Sequence, residues 1–235
     1  MIGLGTIVNT LAVIVGGFLG MIVKGGLKER YQETLMQALG LATLFIGVSG
    51  AMSGMLKIID KGIETQGSML LIASLVFGAL VGEFLNIELR LEQLGEWIKR
   101  KVAVKDNSQF VEGFVTSSLV ICVGAMAIVG SLQDGLQGEA SMLFAKAILD
   151  FVIVMIFAST LGIGVVFSAL PLCIYQGSIT IFASFLTPFL TDTVIANLSF
   201  VGSVLIFAVG INLCFGKKIK VGNLLPSMIV PFFFH

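Results

Sequence analysis

From Phe151 to Leu172 the chain carries no charged residue. A helix needs about 20 apolar residues to cross the hydrocarbon core of a bilayer, so this run is long enough to span one. Comparable runs recur along almost the whole sequence. Lipid offers no hydrogen bonds to a backbone, so repeated runs of this length point to α-helices, whose polar groups are satisfied within the segment. Composition agrees: 57% of residues are hydrophobic, 12% are charged, and mean hydropathy is +1.05. A soluble domain is about 25% charged. The expected class is therefore all-α, a polytopic membrane protein of about 7–8 transmembrane helices. Its 14 basic residues balance its 14 acidic ones, so no nucleic-acid partner is expected and membrane lipids are.

The hydropathy pattern predicts spans near 2–23, 35–56, 67–85, 110–131, 142–167, 170–190 and 194–215, and a shorter one from Gly222. Gly162, Gly164, Pro171, Gly177 and Pro188 punctuate the neighbourhood of the sixth, where one broken or re-entrant helix is expected. The eighth holds Pro226 and Pro231 and is short for a full crossing. Residues 1–235 read as a single integral membrane domain. No positive region precedes the apolar stretch from Ile2, so no cleavable signal is expected.

Basic residues concentrate in three connections. The first has Lys24, Lys28 and Arg30; the third has Arg90, Lys99, Arg100, Lys101 and Lys105; the seventh has Lys217, Lys218 and Lys220. The second balances Lys57 and Lys61 against Asp60 and Glu64. With eight spans every basic-rich connection falls on one side, which the positive-inside rule makes cytoplasmic, with the N-terminus outside. The third connection contains an amphipathic segment, 87–104, with Ile87, Leu91, Leu94, Ile98 and Val102 on one stripe. Its acidic residues come first and its basic ones last, as a helix dipole favours, and it carries the sole tryptophan, Trp97. A cytoplasmic helix lying on the membrane face is expected there.

Glycine pairs spaced for close helix contact occur at Gly16 and Gly20, Gly50 and Gly54, and Gly78 and Gly82. They are expected to pack helices within the chain, with a homodimer as the alternative. Residues 10–17 resemble 118–125, and 40–48 resemble 202–211, in oppositely directed spans, which suggests an inverted repeat. Cys122, Cys173 and Cys214 are isolated in apolar runs and read as packing residues.

Polar side chains at membrane depth carry the functional reading. Lys146 and Asp150 stand four residues apart, on one helix face. A charge at membrane depth costs roughly 2.5–3.5 kcal/mol on insertion scales, so it calls for a partner and a purpose. On the topology above Asn9 lies about 10 Å below the outer surface, Lys146 about 6–8 Å and Asp150 about 12–14 Å. Gln133 and Asp134 close the fourth span at the same end. These five residues are the candidate outward-facing site for a small ion or polar solute. Glu83, Gln176 and Asn212 are secondary candidates. Each also has a structural reading: a neutralised pair, turn residues, or hydrogen bonds between helices.

No catalytic or metal site is expected. The sole histidine is His235, and no HExxH site, Ser-His arrangement, Walker motif or dinucleotide fingerprint appears. The chain therefore reads as a non-enzyme without a cofactor. A transporter or channel is the first expectation. A membrane scaffold or regulator acting through helix contacts or the segment 87–104 is the alternative.

Several long runs resemble one family. CVGAMAIVGSLQDG at 122–135, Lys146 with Asp150, FASTLGIGVVFSALP at 157–171 and YQGSIT at 175–180 are similar to the YqgA/YdfK-like family. GTIVNTLAVIVGGFLG at 5–20 and KIKVGNLLP at 218–226 extend the likeness over essentially the whole chain. The resemblance implies an uncharacterised multi-pass protein of the bacterial inner membrane, and it implies no activity or ligand.

Overall fold

The computed structural model describes residues 1–24, 29–59, 62–101, 109–122 and 125–234. Lys28, Asp60, Lys61, Val102, Lys105 and His235, which entered the expectations above, lie outside the described residues. The elements in order are α1 (Leu4–Lys24), α2 (Glu29–Met55), β1 (Leu56–Ile59), β2 (Gly62–Thr65), α3 (Ser68–Leu85), α4 (Ile87–Lys101), α5 (Phe110–Cys122) and α6 (Ala125–Gln137). Then come α7 (Ser141–Leu161), a 3-10 segment (Ile163–Ser168), α8 (Ala169–Ile181), α9 (Ala183–Leu186), α10 (Asp192–Phe215), α11 (Val221–Leu224) and a second 3-10 segment (Leu225–Phe233).

Among the described residues six helices are long and apolar enough to cross a bilayer, and α5 with α6, bent by 63°, forms either a broken seventh span or a re-entrant loop. The fold is thus an all-α polytopic membrane protein. The break expected near 162–188 is placed differently. The strong bend falls in the fourth span, and Ile163–Ile181 holds as one candidate span. The fifth span ends earlier than hydropathy suggests, at Gly162, whose φ of 80° is a conformation that favours glycine. Pro171 falls in the first turn of α8, where a missing N–H leaves no helical bond unmade. The second connection is a β-hairpin in which Lys57 faces Glu64 across the strands.

One helix shows large apolar residues outside and small or polar ones inside. On α3, Met69, Ile72, Val76, Leu80 and Phe84 are all exposed, Phe84 at 88%, whereas the opposite stripe, Leu70, Ser74, Gly78 and Gly82, is buried. Large apolar side chains lose nothing by facing lipid, and small ones let backbones approach.

The sequence suggests one membrane domain; by packing, the chain groups into two compact units. The first comprises Met1–Ala38, Arg90–Cys122 and Met126–Thr187. Its central contact is α1 on α7. A Cβ added to Gly16 would lie 2.6 Å from the Phe151 carbonyl oxygen, and one on Gly20 would strike that of Met155. α4 seats Ile98 with Phe110 and Phe114 of α5, where Phe110 also meets Phe167 at 5.5 Å between ring centres.

The second unit comprises Leu39–Leu89, Val123–Ala125 and Pro188–His235. Gly47, Gly50 and Gly54 of α2 lie against Phe207, Ser203 and Phe200 of α10, and Gly78 and Gly82 of α3 lie against Ser227 and Asn223. All three glycine pairs therefore sit at contacts within the chain. The short eighth segment gains reach from its geometry. Four α-helical residues and nine 3-10 residues, at about 1.5 and 2.0 Å each, cover about 24 Å. It begins beside Gly82, and the Phe234 carbonyl ends it by accepting from Asn197 Nδ2 at 3.3 Å.

Candidate functional site

The close approach of α1 to α7 brings Asn9 to Asp150. Lys146 sits one turn away on α7, and α8 adds Gln176. All four side chains are buried, Asn9 and Gln176 completely. Lys146 Nζ donates to Asp150 Oδ1 at 2.7 Å, to Asp150 Oδ2 at 2.6 Å and to the Ile121 carbonyl at 2.9 Å. A lysine ammonium has three protons, and these contacts use all of them. Ile121 lies in the last turn of α5, where carbonyls lack an intrahelical partner and the helix dipole is negative. The end of α5 thus offers the Ile121 carbonyl as an acceptor, and a tethered cation occupies it.

Asn9 Nδ2 donates to Asp150 Oδ2 at 2.9 Å and to Gln176 Oε1 at 3.3 Å. The carboxylate fixes the orientation of both amides. It accepts only, so Asn9 must present its NH2, and Gln176 must then present its oxygen. Two atoms are left over. Asn9 Oδ1, an acceptor, and Gln176 Nε2, a donor, are buried and have no partner among the described residues. Buried polar groups in proteins are nearly always paired.

The polar contact continues along α1 and α8. Thr6 Oγ1 and Thr180 Oγ1 are 3.4 Å apart, both buried. Thr6 precedes Asn9 by one turn and Thr180 follows Gln176 by one turn, so the two pairs stack into a seam. Beside them Gly177 leaves room: a Cβ there would meet nothing nearer than Thr6 Cγ2 at 4.0 Å. In the other direction the same helices turn apolar. Val13 and Leu172 are fully buried, and Gly17 lies against Val166.

The remaining sequence candidates make other contacts. Asp134 is fully buried but serves the start of α1, accepting from Gly3 N at 3.2 Å and Gly5 N at 3.0 Å. A carboxylate suits the positive end of a helix, which answers for this residue. Gln133 is half-buried, and among the described residues no side-chain hydrogen bond joins it to Lys146, Asp150 or Asn9. Neither Gln133 nor Asp134 is hydrogen-bonded to the Lys146–Asp150 pair among the described residues, whereas the secondary candidate Gln176 is joined to it through Asn9.

Glu83 and Asn212 belong to the second unit. Glu83 accepts from Lys220 Nζ at 2.8 Å and Asn223 Nδ2 at 2.6 Å. Asn212 accepts from the amides of Lys218 and Ile219, each at 2.9 Å, and so shapes the basic loop. Sequence reading missed the hub of this clasp. Glu88 is 7% exposed, accepts from Gly222 N at 2.8 Å and pairs with Lys217 at 2.8 Å, and its own N–H donates to Asn223 Oδ1 at 2.7 Å. The signal lay in plain view: an acidic residue in the first turn of an amphipathic helix and an asparagine inside an apolar segment.

Residues 4–235 match a family described as a protein of unknown function (DUF554). The chain belongs to that family. An uncharacterized membrane protein YdfK of Bacillus subtilis (strain 168) is 34% identical over 227 residues, covering 97% of this chain and 93% of its own length. An uncharacterized protein YqgA of Escherichia coli (strain K12) is 30% identical over 234 residues, covering 97% of this chain and 94% of its own. No solved structure matches. The likeness to YqgA and YdfK read from the short runs thus holds along the whole chain, and membership of DUF554 carries no activity with it.

Proposed function

We propose that this DUF554 protein is a transporter or channel for a small ion or polar solute in the bacterial inner membrane, with its site on Asn9, Lys146, Asp150 and Gln176. One observation carries the reading: a buried lysine–aspartate pair docked on the Ile121 carbonyl in the last turn of α5, next to a helix break. Broken helices supply ion and substrate sites in secondary transporters, because their free ends present unpaired backbone groups at depth. The distribution of basic residues supports an external N-terminus, and the start of α1 is then the outer end. No step in this reading needs a cofactor or a bond-making residue, and lipids are its only required partners.

The test is swelling of proteoliposomes, followed by light scattering, across sodium chloride, potassium chloride, urea, acetamide and glycerol. The paired variant Lys146→Met with Asp150→Leu removes both charges together, so neither is stranded. The expected result is a solute permeability above that of empty liposomes that the paired variant lacks while remaining folded. Permeability unchanged by the paired variant overturns the site, and no permeability to any solute overturns the transport reading.

A further inference from the structure

We propose that the seam between α1 and α8 selects small uncharged solutes carrying a hydrogen-bond donor beside an acceptor, as in a primary amide. This rests on the transport reading and names its substrate class. The charges come first. Lys146 and Asp150 neutralise each other at 2.6 Å, all three ammonium protons are used, and the Asp150 carboxylate is engaged on both oxygens. A mobile ion reaching this pair would find its charges already matched to each other, at a depth where a lone charge is costly. The hydrogen-bond account comes second. Asn9 Oδ1 and Gln176 Nε2 remain, one acceptor and one donor, on two amides that already share a hydrogen bond. Their orientations are imposed by Asp150, so the seam keeps this polarity. A ligand complementing both must donate one hydrogen bond and accept another. An amide does so through adjacent N–H and C=O groups.

The position beside Gln176 is uncrowded: a Cβ on Gly177 would meet only Thr6 Cγ2, at 4.0 Å, one turn from Asn9 on α1. Thr6 and Thr180 give hydroxyls on the approach, and the apolar closure at Val13 and Leu172 bounds the far end. A seam of this kind admits something small and polar and offers nothing to a long apolar chain.

The experiment is light-scattering swelling of proteoliposomes in urea and acetamide, against sodium chloride and potassium chloride, with three variants. Gly177→Leu sets a bulky side chain against Thr6, Gly177→Ala stays at ordinary contact distance, and Gln176→Met keeps the length of the side chain without its donor. Urea and acetamide are expected to enter faster than in empty liposomes and both salts to stay out. Gly177→Leu is expected to abolish entry and Gly177→Ala to preserve it. Gln176→Met should slow entry roughly fivefold to tenfold, the equivalent of one hydrogen bond. Salt entry that needs Lys146 and Asp150, with no amide entry, overturns the neutral-solute class and leaves the transport reading standing. Amide entry untouched by Gly177→Leu and Gln176→Met overturns the seam as the path. Impermeability to every solute overturns both readings together.

Discussion

Removing Lys146 alone should cost far more stability than removing it together with Asp150. In Lys146→Met the Asp150 carboxylate loses contacts of 2.7 and 2.6 Å and keeps only Asn9 Nδ2 at 2.9 Å. Both groups are buried, at 7% and 3% exposure, so water does not replace what is lost. Stranding one member of a buried ion pair typically costs about 3–5 kcal/mol. Asp150→Leu strands the ammonium instead, with the Ile121 carbonyl as its remaining partner. The double variant removes the desolvation cost along with the attraction, and apolar replacement of a buried pair is about neutral to 4 kcal/mol stabilising. Against that stands the lost acceptor of Asn9, about 1 kcal/mol. The double variant should therefore be more stable than either single variant, with a coupling of at least about 3 kcal/mol, the top of the range for neighbouring residues. The assay is reversible unfolding in mixed micelles by added sodium dodecyl sulfate, followed by far-ultraviolet circular dichroism. Single variants that lose less than about 1 kcal/mol, as an exposed pair would, or a double variant equal to their sum, would refute the reasoning.

Asp134→Ala should cost about 1–2 kcal/mol by unpairing Gly3 and Gly5 at the start of α1, and amide hydrogen exchange should rise in the first turn of that helix rather than at Lys146. Glu88→Ala should open the clasp on Gly222 and Lys217, read as faster proteolysis between Gly216 and Lys220 with unchanged cleavage elsewhere.

The sequence showed some features plainly, and their physics is local. Helix length, apolar runs and the i,i+4 spacing of Lys146 and Asp150 follow from the period of one helix, and the structure keeps them. The glycine pairs at Gly16 and Gly20 and at Gly78 and Gly82 showed where backbones meet, since small residues mark close approach whichever helix comes opposite. What escaped were features set by a distant partner. Asp134 looked like a membrane-depth carboxylate, yet its role comes from the amides of Gly3 and Gly5, far along the chain. The bend between α5 and α6 falls in a span without proline, whereas the prolines and glycines of 162–188 drew attention elsewhere. Gln176 was legible only as a secondary candidate, because its partner Asn9 comes from a distant helix. The 3-10 course of Leu225–Phe233 likewise defeats a count at 1.5 Å per residue, which makes the last segment look too short.

Density in the seam tests the central claim most directly. A high-resolution map of the protein in lipid nanodiscs containing urea should show a solute or ordered water in contact with both Asn9 Oδ1 and Gln176 Nε2, beside Gly177. A seam packed dry, with Asn9 Oδ1 and Gln176 Nε2 turned onto protein partners, would contradict the account.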